Sequence, residues 1–315
     1  MYLICGEALF DLFGADTSGT SVGFDGRIGG SPFNVAMGLA RLGEDAAFFG
    51  GISNDVLGEK LVGKLRDEGV SDRFVVRSDN LTTLSLVQQD PDGQPAYTFY
   101  GANAADRMIT EGDLPVFEVP PSFIHIGSYT ALTEPVASAL KTLIAREHAR
   151  CLISFDPNIR PTVVADMDKW RTNTTAIVPY TDVIKVSDED LALIAPGEPV
   201  EAIARDWLAE GAKLVIVTRG KDGASAYTDQ SEASVPGVAV NVVDTVGAGD
   251  TFQAALLSGL KILGANNREG LTALDQAQLT RLLTFCTQAA AITCSRRGAD
   301  LPTKADLEKE GCSLV

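Results

Sequence analysis

Residues 242–252, VVDTVGAGDTF, bring two glycines, a carboxylate and the start of an apolar helical face into one short stretch. Gly247 and Gly249 leave no side chain where backbone N–H groups must approach an anion, and the helix that the turn leads into adds roughly half a positive charge there. Asp250 stands beside that turn, placed to act as a base toward a hydroxyl brought against a bound phosphate. The chemistry these residue types suit is phosphoryl transfer to an alcohol. A dinucleotide fingerprint requires a third glycine where the chain has Phe252, and a Walker A loop, G-x-x-x-x-G-K-[ST], occurs nowhere. The bland alternative is a glycine turn with an acidic first helical turn, for which Gly-x-Gly-Asp alone is unremarkable.

Such a turn has to be carried by a sheet and a helix. The spacing predicts a strand over 238–243 running into it, and a helix after it with Phe252, Ala255, Leu256, Gly259 and Leu260 on one face. Earlier, Ser31 and Pro32 fit the N-cap and N1 positions of a helix. Val35, Ala36, Leu39, Ala40 and Leu42 form its stripe and Gly43 suits its C′ position. Apolar runs at 3–7, 46–50, 123–127, 151–155, 183–186, 214–218 and 225–227 alternate with helical patterns, which implies an α/β protein with a mostly parallel sheet covered by helices. Segments 82–89 and 94–100 alternate apolar and polar residues around Asp90-Pro91-Asp92-Gly93, as an antiparallel hairpin does. With the glycine-rich stretch 12–28 they predict a small, discontinuous accessory sheet.

Composition narrows the partners. The chain has 315 residues, 45% hydrophobic and 22% charged, ordinary for a globular protein with a sizeable core. Twenty-six basic against forty-two acidic residues leave a net charge of −16, which repels nucleic acid and anionic lipid. The N-terminus lacks a basic segment before its apolar stretch and no apolar run reaches membrane-spanning length, so a cytoplasmic protein is expected. Five scattered cysteines and two distant histidines suggest neither a disulfide framework nor a metal cluster.

DTVGAGDTF resembles the carboxy-terminal signature of the ribokinase-like (pfkB) carbohydrate kinases at every position of its core, and GGSPFNVAMGLARLG, residues 29–43, resembles the amino-terminal one. GEALFDLF, DPNIRP, VTRGKDGA and SRRGA extend the likeness over nearly the whole chain. The resemblance implies a three-layer α/β sandwich with a mostly parallel central sheet plus a small β-sheet lid. Residues 1–11, 29–80 and 108–315 would form the main domain, and 12–28 with 81–107 the lid. It implies Asp250 as catalytic base and Gly247, Ala248 and Gly249 as the anion hole. A carboxylate with its ordinary pKa of ~3.9, ionised at neutral pH, suffices for the loose transition state of this reaction.

By the same resemblance the sugar is held by Asp11, Gly29, Gly30, Asn34, Phe99, Asn103, Arg107, Asn158 and Arg160. The nucleotide is held by Lys185, Ser187, Thr218, Gly220, Gly223, Gln288 and Ala291. ATP with Mg²⁺ is implied without a direct protein ligand. Asp190 replaces the family's glutamate in Asn-x-x-Glu and would reach the metal through water, and Asp244 with Val246 corresponds to a K⁺ site of some relatives. YTFYGANAADRMI and DPNIRP are most similar to fructokinases. Kinases for 2-keto-3-deoxygluconate place an arginine where this chain has Gly101, which disfavours an anionic sugar and leaves that activity as the alternative. A non-catalytic sugar or nucleotide sensor on the same fold is a further alternative, against which the retained Asp250 and glycines argue. Relatives often dimerise through the lid strands, so a homodimer is expected.

Overall fold

The computed structural model describes residues 1–89 and 95–314, so the expected turn at 90–93 lies outside the described residues. The first half of the chain runs through β1 (Tyr2–Cys5), β2 (Leu9–Ser18), β3 (Ser21–Gly29), α1 (Ser31–Arg41), β4 (Ala46–Ser53), α2 (Val56–Asp67), β5 (Ser71–Ser78), β6 (Thr83–Gln89), β7 (Pro95–Tyr100), β8 (Phe123–Gly127), α3 (Val136–Glu147) and β9 (Leu152–Asp156). The second half adds α4 (Met167–Ile177), β10 (Val183–Ser187), α5 (Asp188–Ile194), α6 (Val200–Ala209), β11 (Leu214–Thr218), β12 (Ala224–Tyr227), β13 (Glu232–Val235), α7 (Ala248–Ile262), α8 (Arg268–Thr272), α9 (Gln276–Cys294) and α10 (Lys304–Lys309).

Nine strands form the main sheet in the order β13-β12-β11-β10-β9-β8-β1-β4-β5. Every pairing from β10–β11 across to β4–β5 is parallel, and only β12 runs against the rest, antiparallel to both β11 and β13. β1, β4, β8 and β9 are buried along their whole length, which is why they read as continuous apolar runs. Successive side chains of β1 enter opposite layers. Tyr2 and Ile4 pack with Phe33, Leu39, Leu256 and Leu283 of α1, α7 and α9, whereas Leu3 and Cys5 pack with Leu140 and Leu143 of α3. Helix α7 is buried on all sides over 251–260, and a Cβ on Gly38 of α1 would come within 2.8 Å of the Ala254 Cβ, so these two helices touch almost backbone to backbone.

A second sheet has the order β3-β2-β6-β7, with β2 and β6 parallel and the outer pairs antiparallel. Segment 12–28 and the strands β6 and β7 thus do share one small sheet.

Two local expectations are corrected, and two strands appear that the sequence did not signal. Segment 238–243 is not a strand: Val238, Val240, Val242 and Val243 are 37–59% exposed, in a loop that follows β13. A run of valines signals apolar contact, and here that contact is a cavity wall instead of a sheet. Ser31 is not the N-cap of α1; Gly30 is, at φ 108, and the Ser31 hydroxyl is engaged elsewhere. Strands β5 and β13 carry no clear signal because edge position lets charged residues alternate with apolar ones.

Candidate active site

Helix α7 begins at Gly247, whose φ of 80 and whose closeness to Ala299 (2.7 Å from the position of a Cβ) both require glycine. The first intrahelical bond runs from Thr251 N to Gly247 O at 2.8 Å, so the amides of Gly249 and Asp250 lie in the turn where a helix has no carbonyl to offer them. Asp250 is clamped from α1: its Oδ1 accepts the Ser31 hydroxyl at 2.6 Å and its Oδ2 accepts Asn34 Nδ2 at 2.8 Å. Burial pushes its carboxyl above the ordinary range, against the Ser31 and Asn34 hydrogen bonds and the charge of Lys185, while Asp156 adds to the rise. The expectation of an ordinary carboxylate is therefore corrected, since the fold partly desolvates a group that the isolated sequence leaves solvated.

Lys185 is not a solvated surface charge. It is buried, and its Nζ donates to Asp156 Oδ2 at 2.5 Å; the same Nζ lies 3.6 Å from where a Cβ on Gly249 would stand. A cation is thus fixed under the glycine turn. Asp156 Oδ1 is buried with no partner. Ser187 caps α5 by accepting Asp190 N at 3.0 Å, and Asp190 Oδ1 accepts Ile159 N at 3.1 Å. Burial and then the neighbouring Asp156 push the Asp190 carboxyl up to about 6. Asp156, Lys185, Ser187 and Thr218 come from the carboxyl ends of β9, β10 and β11, the edge at which open α/β sheets gather ligands. Asn158 follows at a left-handed φ of 42, and Arg160 Nη1 bonds the carbonyl of Ile159.

The small sheet contributes a row. Register pairs Arg27 with Asp11, Asp11 with Ser85 and Ser85 with Phe99, so these four side chains share one face. A Cβ on Gly29 would fall 2.4 Å from Asp11 Oδ2, and one on Gly30 would fall 2.6 Å from the Glu7 carbonyl, so both positions need glycine for close approach. Burial pushes Asp11 up to about 6, with Arg160 opposing and Asp250 adding. Asp11 is thus within electrostatic range of both Arg160 and Asp250.

A cavity of about 450 Å³ adjoins the glycine turn. Thr218, Gly220, Gly223 and Ala291 line it, together with Ala248, Gly249 and the exposed Val238, Val240 and Val242. Gln288 lies instead on a neighbouring cavity of about 430 Å³, which Ala291 also borders. Asn103 and Arg107 line a third cavity, of about 800 Å³, with Lys141 and Asn173 and without Asp11 or Asp250. The Arg107 guanidinium lies 5.0 Å over the Tyr129 ring. Asp244 ties two loops, its Oδ1 accepting Val246 N at 3.1 Å and its Oδ2 accepting Gly298 N at 2.8 Å. Sequence reasoning missed Ser31 and Asp156 as site residues. An Asp ending one buried strand beside a Lys within the next was the available signal for the second, and the first had none.

A model of the pfkB family carbohydrate kinases matches residues 3–306. The chain belongs to this family. This pfkB kinase is 38% identical over 279 residues to a fructokinase of Rhizobium leguminosarum bv. trifolii, covering 89% of this chain and 85% of that protein. It is 35% identical to probable fructokinase-6, chloroplastic, of Arabidopsis thaliana, over 96% of this chain and 80% of the relative. Among solved structures it is similar to Vibrio cholerae O395 fructokinase bound to fructose, ADP and calcium, with a TM-score of 0.83, 28% identity and coverage of 98% and 97% of the two chains. An uncharacterised sugar kinase of Pyrococcus horikoshii in complex with ATP aligns with a TM-score of 0.82 and 26% identity over 100% of both chains. The pfkB kinase accordingly has the ribokinase-like α/β fold, a large mostly parallel sheet with helices on both sides and a smaller separate sheet. It is a phosphotransferase acting on a sugar hydroxyl.

Proposed function

We propose that this pfkB kinase transfers the γ-phosphoryl group of ATP to fructose, giving fructose 6-phosphate and ADP, with Asp250 as the base. The observation that carries the reading is the placement of Asp250. It sits in the first turn of α7, beside amides that suit an anion and near the Lys185 ammonium, clamped by Ser31 and Asn34 of α1 and within electrostatic range of Asp11 of the small sheet. Relatives and a solved neighbour named as fructokinases support fructose as the acceptor.

In this mechanism Asp11, Asn34, Asn158 and Arg160 hold the sugar hydroxyls, with Gly29 and Gly30 admitting the ring close to the backbone. Phe99 supplies an apolar edge. The acceptor oxygen attacks the γ-phosphorus as the bond to the β-phosphate oxygen breaks, and its proton passes to Asp250 Oδ. Ser31 and Asn34 keep that carboxylate oriented, so positioning and charge stabilisation carry most of the catalysis. The amides after Gly247 take up charge on the migrating group. Thr218, Gly220, Gly223 and Ala291, with Ser187 and Lys185 toward the phosphates, form the nucleotide side, while Gln288, Asn103 and Arg107 stand outside this contact set.

Mg²⁺ would arrive on ATP and would neutralise phosphate charge there. The orphaned Asp156 Oδ1 and the Asp190 carboxylate fit its hydration shell. Each Asp244 oxygen keeps a lone pair that a K⁺ ion beside Val246 can use. Free cysteines, four of the five buried, and the need for ATP support a cytoplasmic reaction. Exposed Val22, Phe24 and Tyr100 on the small sheet are the surface through which we propose pairing into a homodimer.

Measuring ADP release with fructose, ribose, 2-keto-3-deoxygluconate, adenosine and tagatose tests the assignment. Fructose is expected to give the highest kcat/KM, and Asp250→Asn is expected to lower kcat by at least ~10² while fructose still binds. Faster turnover of another sugar overturns the substrate, and unchanged turnover in the variant overturns the base.

A further inference from the structure

Behind the sugar-facing row of the small sheet lies a second, wholly buried constellation that the transfer chemistry does not use. Asp106, 1% exposed, follows the last strand of the small sheet and accepts two hydroxyls. Thr83 Oγ1, at the first residue of β6, donates to its Oδ1 at 2.5 Å, and the Tyr129 hydroxyl donates to its Oδ2 at 2.7 Å. Tyr129 belongs to the main domain, in the short 3₁₀ turn after β8. Its ring carries two groups: Phe99 stands edge-on at 5.9 Å, and the Arg107 guanidinium lies across the face at 5.0 Å. One carboxylate therefore joins both roots of the small sheet to the floor on which its sugar-facing aromatic rests. The surroundings leave little slack. Ala105 N bonds the Leu81 carbonyl at 3.0 Å, and a Cβ on Gly51 would strike the Ala105 carbonyl at 1.9 Å. Gly101 leaves the room that the Arg107 guanidinium occupies, 2.7 Å from where a Cβ would stand.

We propose that Asp106 and Tyr129 are positioning residues for sugar recognition: their hydrogen bond sets the height of Phe99, and with it the Asp11–Ser85–Phe99 row, above Asp250. The inference deepens the sugar-kinase reading and rests on it. Neither side chain touches the reacting atoms, so the effect falls on sugar binding and not on phosphoryl transfer itself. A buried carboxylate holding two hydroxyls is also a common structural device, so the discriminating readout has to be kinetic.

Tyr129→Phe removes only the hydroxyl and keeps the ring under Phe99 and Arg107. KM for fructose is expected to rise about five- to tenfold, of the size a lost buried hydrogen bond gives, with kcat and the KM for ATP within about twofold. Amide exchange over residues 95–101 should speed up in the same variant. Thr83→Val, which empties the other oxygen of Asp106, should raise the fructose KM in the same direction and serves if Tyr129→Phe does not fold. A lowered Tm with fructose KM within about twofold in both variants makes the cluster purely structural and overturns the proposal. If the wild-type enzyme prefers another sugar, KM is measured with that sugar, so failure of the fructose assignment is told apart from failure of the positioning role.

Discussion

At the scale of single residues, the fold alters what a carboxylate is. Asp11 and Asp250 are drawn from two motifs far apart in the chain, and each is pushed above the ordinary aspartate range chiefly by burial. Because Asp11 has a folded value of about 6, it is protonated in the free enzyme below that pH and stops accepting sugar hydroxyls. The expected outcome is a kcat/KM for fructose that falls on the acid side near pH 6, which a pH–rate profile of the free enzyme reports. A flat profile from pH 5 to 8 contradicts it. The same shift has a stability sign. A raised folded pKa contributes stability that is fully present below the unfolded value near 3.8 and is lost as pH rises through about 6. Asp11→Asn escapes that loss, so its Tm relative to wild type should be higher at pH 8 than at pH 4, while its sugar KM worsens. The motif located both aspartates in the sequence. Their shifted acidity was not legible, because desolvation belongs to the surroundings and not to the residue.

At the scale of elements, the two signature motifs act through one helix pair. α1 presents Ser31 and Asn34 to Asp250 because Gly38 lets it lie against Ala254 of α7. Gly38→Val forces side-chain atoms into Ala254 and Leu301, where even a Cβ stands within 2.8 Å. Overpacking of this kind costs about 1–3 kcal/mol. Here it should also lower kcat more than about tenfold by withdrawing the Asp250 clamp, whereas a loss of Tm with unchanged kcat separates the helices from the chemistry. The loop after β13 behaves oppositely. Val240 is 37% exposed and lines the nucleotide-side cavity. Val240→Ser is therefore expected to raise the KM for ATP several-fold and to leave stability within about 0.5 kcal/mol, as surface changes do. Equal loss of stability would mean that the valines are core after all. From the sequence this segment looked like a strand, since valine content cannot distinguish a cavity wall from a sheet interior.

At the scale of the whole molecule, the proposed sugar site lies where the small sheet meets the main domain, joined to it by apolar packing of Phe10, Leu12, Ile28 and Leu84 and by buried polar ties. Fructose with an ATP analogue is expected to protect β2, β3, β6 and β7 from hydrogen exchange while the main sheet, already buried, changes little. Unchanged exchange in the small sheet would show that it does not close on its ligand. The alternation of apolar runs and helical patterns determined by itself that the chain builds a parallel sheet under helices, because period and burial are local consequences of side-chain type. The two glycine motifs likewise determined the family and made Asp250 the candidate base. Only tertiary structure decided that Lys185 is sunk against Asp156, that Ser31 serves Asp250 in place of its own helix, and that Asp106 joins the small sheet to Tyr129. Those contacts span 29, 219 and 23 residues. Separations of that kind leave no periodic trace, since the chain meets itself there only after every layer has packed.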